Sequence, residues 1–267
     1  MHAPPLCVHS HYSFRWGVAG PEGLAAAAAA RGIDALALTD VGGLYSAVPF
    51  YHAARAHGIK PILGARLAEG PADAGCVVLA RDFAGYQALC RLVSAYRLGQ
   101  GEWRAIAAGA APHLFFLAGS REWLDALDGG AVRASGSLYA RRVPADLCRS
   151  RAEVAARERL ARYARARGIP LAASGEVTFI DPEAHTAHRV LAAMGAGTTL
   201  ARLHPQAHAP NTAILRDVDH LRAAFADERE AFANACRIAA SCDPRVLEPA
   251  LGTLRQPPAL LAVASDP

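Results

Sequence analysis

Gly32-Ile33-Asp34-Ala35-Leu36-Ala37-Leu38-Thr39-Asp40 sets the fold. From Ala35 the run is apolar without alternation, and it ends on two polar residues. A parallel strand buried on both faces reads this way. Before it, residues 21–31 read as a helix with Pro21 at its start, a position proline favours because its missing N–H has no partner there anyway. After it, residues 44–57 read as a second helix closed by Gly58, the residue best suited to a left-handed C-terminal cap. Lys60 then opens another strand, over 60–67. Strand, helix and strand of these lengths predict a βαβ unit. The alternation continues, with strands expected over 7–13, 76–80, 113–118 and 171–179. Helices are expected over 82–98, 150–167, 182–194, 218–225 and 228–241. The fold class this implies is α/β, a barrel of mostly parallel strands, with functional residues at the strands' carboxyl ends.

The chain has 267 residues, 52% of them hydrophobic, enough for a large core. The apolar run at 24–30 is far shorter than the ~20 residues of a membrane span and reads as a helix former. The first five residues lack the basic and apolar regions of a signal peptide, so a cytoplasmic protein is expected. Six cysteines form no C-x-x-C pair and read as thiols rather than a disulfide framework. Net charge is +4, and Lys60 is the sole lysine. The local excess of arginine over 141–167 is interrupted by Glu153 and Glu158 and reads as a solvated helix face, so DNA contact is expected to be indirect or weak. Four prolines (Pro249, Pro257, Pro258 and Pro267) mark 246–267 as an extended tail or linker after a domain over 1–245.

Chemistry concentrates in Cys7-Val8-His9-Ser10-His11-Tyr12-Ser13. On a strand, residues two apart share a face, so Cys7, His9 and His11 point one way, and a thiolate with two imidazoles suits a transition metal such as zinc. The alternative is a buried cysteine with two histidines at a loop edge. Gly195-Ala196-Gly197 lacks the lysine and preceding strand of a phosphate loop. His204, His208 and His220 lie in a polar stretch and read as surface residues.

The motif order resembles a known family. His9-Ser10-x-Tyr12-Ser13, the opening stretch over 32–40, Phe50-Tyr51 and Gly58-Ile59-Lys60-Pro61-Ile62-Leu63-Gly64 look like the PHP domain of bacterial C-family DNA polymerase III alpha subunits, replicative or error-prone. Collinear matches continue through Gly85-Tyr86-Gln87-Ala88-Leu89, Gly168-Ile169-Pro170-Leu171 and the segment from Phe225 to Cys242. The resemblance implies a distorted (β/α)7 barrel related to phosphoesterases, whose metal-binding members use His, Asp, Glu and Cys ligands at the strand ends. The ligands it implies here are His9, His11, Asp40, Glu176, Cys7 and His188. Against them stand replacements: Val41 and Gly75 where histidines are expected, Arg66 where a glutamate is expected, and Thr178 where the late histidine is expected.

A guanidinium stays protonated and cannot ligate a metal. Arg66 is therefore expected to pair with Asp40 or Glu176 and stand in for the cation. The expected cofactor is none, or weakly bound zinc or manganese. The implied function is a degenerate PHP scaffold or interaction module in replication or repair. Its implied partner is a C-family polymerase or a proofreading subunit, and it is expected to have no polymerase activity. The alternative is an active metal-dependent phosphoesterase or nuclease.

Overall fold

The computed structural model describes residues 4–68 and 73–251. The chain runs β1 (Cys7–Val8), α1 (Pro21–Ala30), β2 (Ala35–Val41), α2 (Ala47–Ala56), β3 (Lys60–Leu67) and β4 (Cys76–Ala80). It continues through α3 (Phe83–Arg97), α4 (Trp103–Gly109), β5 (Leu114–Ala118), α5 (Arg121–Leu127), α6 (Gly130–Ala134) and β6 (Leu138–Arg142). It ends with α7 (Arg151–Ala166), β7 (Leu171–Ala173), β8 (Glu176–Val177), α8 (His185–Gly195), α9 (Val218–Ala224), α10 (Arg229–Ser241) and α11 (Glu248–Leu251). Among the described residues, no helix is long and apolar enough to cross a membrane.

Six strands hydrogen-bond in the order β2-β3-β4-β5-β6-β7, and β1 pairs with β8. The β2–β3, β5–β6, β6–β7 and β1–β8 pairs are parallel; β4 is reversed and antiparallel to both neighbours. The two sheets meet where Ala37 N–H donates to Pro5 O and Val8 N–H donates to Thr39 Oγ1. At the other end, one bent segment closes the circle. Its first half, β7, pairs with β6, and its second half, β8, pairs with β1. Counted as one strand, 171–177 makes this a seven-stranded α/β barrel with mostly parallel strands.

The opening stretch forms the strand expected of it. All of β2 except its last residue is buried, as are all of β4 and β5. Gly64, in the middle of β3, has no room for a side chain. A Cβ there would lie 2.5 Å from Val78 O and 2.9 Å from the Thr39 methyl. The helices behave as their ends predict: Pro21 starts α1, and Gly58 closes the turn after α2 with φ +72°.

Four sequence expectations need correction. The first strand stops at Val8, and the chain turns at His11, because backbone pairing with β8 ends there. The expected strand over 171–179 breaks at Ser174-Gly175, where the chain leaves one neighbour for another. β6 and the short helices α4, α5 and α6 lie in a stretch where no elements were expected. Lastly, the expected tail begins later than 246. Val246 and Leu247 are buried in the main core, and α11 follows; the remainder, 252–267, lies outside the described residues.

Candidate functional site

The carboxyl ends of the strands bring Asp40, Arg66, Arg141 and Glu176 to one end of the barrel, and the side chains divide into two polar clusters. Glu176 stands opposite Cys7 in the β1–β8 register. Arg66 donates to its Oε1 at 3.0 Å, and Arg141 donates to its Oε2 at 3.2 Å. Both guanidinium groups are almost wholly buried, at 3% and 6% side-chain exposure. Burial alone would raise the Glu176 pKa, but Arg66, Arg141 and His9 outweigh it and hold the carboxylate at about 2. Arg66 also donates to Asp73 O at 2.5 Å and lies 3.4 Å from His9 Nε2.

Arg141 extends the cluster to Cys7, whose sulfur it meets at 3.4 Å, while His9 Nε2 lies 3.6 Å from the same sulfur. Burial pushes the Cys7 pKa up, and the neighbouring His9 and Arg141 more than cancel that, leaving it lowered. Cys7 and His9 are fully buried, whereas His11 is exposed and rests against the Tyr12 ring, 4.6 Å between centroids. The expectation that Cys7, His9 and His11 share a face is therefore wrong for His11: strand geometry ends before it.

Asp40 belongs to the second cluster and, among the described residues, meets no arginine. Its Oδ1 accepts from Ser10 N–H at 2.7 Å and from the Ser13 hydroxyl at 2.6 Å. Its Oδ2 accepts from the Ser10 hydroxyl at 2.7 Å and from the Ser46 hydroxyl. Four donors fill the carboxylate and tie the loops after β1 and β2 together. The charge is thus met by hydrogen bonds rather than by a cation, which a buried carboxylate tolerates only when so fully bonded.

His188 is committed as well. Its Nδ1 lies 2.7 Å from Trp16 O, and its Nε2 accepts from Ala209 N–H at 2.8 Å. That pair of partners requires a neutral ring with the proton on Nδ1. Burial lowers its pKa to about 4, with help from His208, His185 and His9 and against the bond to Trp16. Gly75 stands at φ +59°, where a Cβ would sit 2.6 Å from Leu67 O. Cys76, beside it, is buried, and burial pushes its pKa up. Val41 lies opposite Arg66 in the β2–β3 register. Thr178 is buried, with its hydroxyl unpartnered.

This donor set does not fit a divalent cation. Among the described residues, no three His, Cys, Asp or Glu side chains converge as a metal group. The carboxylate nearest to Cys7 and His9 is already gripped by two permanent cations, which would repel a third. Arg141 was the residue missed from sequence. It lies in the unexpected strand β6, and the arginine excess it opens was read as solvated.

The PHP domain family matches residues 5–168, more than half of the chain. This chain belongs to the PHP family. The PHP chain is 33% identical over 276 aligned positions to DNA polymerase III subunit alpha of Escherichia coli (strain K12), covering 90% of this chain and 23% of that protein. It is 34% identical over 265 positions to the error-prone DNA polymerase of Anaeromyxobacter dehalogenans, covering 92% and 23%. The PHP chain thus spans about a quarter of the length of the polymerases it matches. A solved chain from Bifidobacterium adolescentis, provisionally described as a metal-dependent phosphoesterase, aligns with TM-score 0.36 and 14% identity, covering 84% of this chain and 96% of that one.

Proposed function

We propose that this PHP barrel is a degenerate member of its family, acting as a scaffold or interaction module in DNA replication or repair. Its partner is a C-family DNA polymerase or a proofreading subunit, and it carries out neither nucleotidyl transfer nor phosphodiester cleavage itself. One observation supports this reading above the others: Glu176 is held between Arg66 and Arg141, so the carboxylate at the strand ends is neutralised by the chain's own cations. Asp40 and His188 are bonded to serines and backbone instead of facing a shared point. Similarity to polymerase alpha subunits across nine-tenths of the chain supports the choice of partner.

Metal content tests the proposal, measured by plasma mass spectrometry on untagged protein that has never met a metal-stripping agent. Sub-stoichiometric metal that is lost on gel filtration is expected, together with no hydrolysis of bis(p-nitrophenyl) phosphate in added zinc or manganese. Tightly held, stoichiometric metal with phosphodiester turnover would overturn the reading and establish a working metal-dependent phosphoesterase.

A further inference from the structure

Beside the Arg66–Glu176–Arg141 cluster opens a cleft of about 920 Å³. Seven arginines and four carboxylates line it, with apolar side chains such as Leu147, Leu160 and Pro210 between them. Two of its linings are buried donors without a partner among the described residues: Arg66 Nε on β3, and Trp16 Nε1 in the loop after β1. Both residues are almost wholly inaccessible, Arg66 at 2% and Trp16 at 3%. A buried N–H without an acceptor costs free energy, and both groups can only donate. The cleft's unmet need is therefore for acceptor oxygen. At its rim, Arg159 and Arg162 are exposed on successive turns of α7, and neither has an ion-pair partner among the described residues.

The geometry points to this cleft as the docking site for a short acidic peptide segment of a partner protein, its carboxylates alternating with apolar side chains. This rests on the scaffold reading above and says which surface of the scaffold does the work. Three features select a peptide. The positive groups come from β3, α5, β6, α7 and the turn before α7, so they are spread along the cleft rather than focused on one point, as a single phosphate would require. Glu122 and Glu153 lie among them, so fixed charge alternates in sign along the cleft, which suits spaced carboxylates with uncharged neighbours rather than a continuous phosphate backbone. No open aromatic face is offered for base stacking: Trp16 is buried, and the Tyr163 ring is covered by Arg121 and Arg167. Carboxylates on a peptide can reach Arg159 and Arg162 singly while their apolar neighbours meet the leucine and proline lining.

Fluorescence anisotropy tests this on the whole chain, with a short fluorescein-labelled peptide alternating glutamate and leucine. Saturable binding is expected, and the R159A/R162A double variant should weaken it about 5-fold, as loss of two rim charge pairs implies. Binding should also weaken as salt is raised. A control pair, R91A/R104A, removes two exposed arginines outside the cleft and should leave binding unchanged. Both double variants alter only exposed side chains and should melt like the parent. Absent binding, equal binding of a matched peptide alternating lysine and leucine, or indifference to R159A/R162A would overturn the inference. So would displacement of the peptide by a lower concentration of inorganic phosphate or of a single-stranded oligonucleotide. Metal content, measured on the same preparation, judges the scaffold reading separately: a metal-poor protein that ignores the peptide sinks only the docking site.

Discussion

Glu176 is the residue on which the site turns, and its surroundings fix what substitution should do. Replacing it with glutamine keeps the volume but leaves Arg66 and Arg141 buried with half their partners gone. Breaking one side of such a pair costs about 3–5 kcal/mol, so Glu176→Gln should lower the unfolding free energy by that amount, seen as a lower denaturant midpoint at unchanged slope, and Arg66→Ala should do similarly. A variant as stable as the parent would contradict the clamp. The pH dependence follows from two groups. His188 titrates at about 4 in the fold against 6.5 ordinarily, so the unfolded chain takes up its proton first. Its contribution is complete above pH 6.5 and is lost as pH falls towards 4. Glu176, at about 2 against 4.5, contributes fully above pH 4.5 and loses that contribution as pH falls towards 2. Denaturant titrations from neutral pH downward should therefore show stability declining through both windows. In Glu176→Gln the lower decline should shrink while the upper one persists.

Strands decide how well the sequence could be read. β2 and β3 were legible because their apolar runs, and the Gly58 cap of the helix between them, are local signals. Their packing gives a direct check: Gly64→Ala must push against Val78 O and should cost about 1–3 kcal/mol by overpacking, seen as a lower melting temperature. β6 was not legible. Its sequence, Leu138-Tyr139-Ala140-Arg141-Arg142, carries two charges into a barrel wall, and no local rule buries adjacent arginines. The structure buries both because successive side chains face opposite ways. Arg141 turns to Glu176, while Arg142 turns outward to Glu158 and Glu228. Those carboxylates lie as many as 86 positions away, so the partners that make β6 a strand are invisible from its own neighbourhood. The same limit hid Asp40's true company. Ser10, Ser13 and Ser46 were in plain view, but nothing in their spacing says that three hydroxyls converge on one carboxylate.

At the scale of the whole molecule, residues 243–247 fasten the last described segment to the barrel. Asp243 N–H donates to Arg81 O, and Val246 and Leu247 pack into the core behind it. A chain stopped after Pro244 gives up both side chains and should lose about 3–6 kcal/mol, at ~1.5–3 kcal/mol per buried aliphatic. Comparing its melting temperature with that of a chain stopped after Leu251 would place the domain boundary, and equal values would move it back to 245. The arginine pair has a consequence at this scale too. An enzyme that balances its acidic residues with zinc or manganese must draw those ions from the cell's trace-metal pool and is exposed to scarcity and to the wrong ion. Here the positive charge beside Glu176 is made by the ribosome, in fixed proportion to the carboxylate it serves, and it cannot dissociate. On the reading proposed above, folding of this end of the barrel does not wait on that pool.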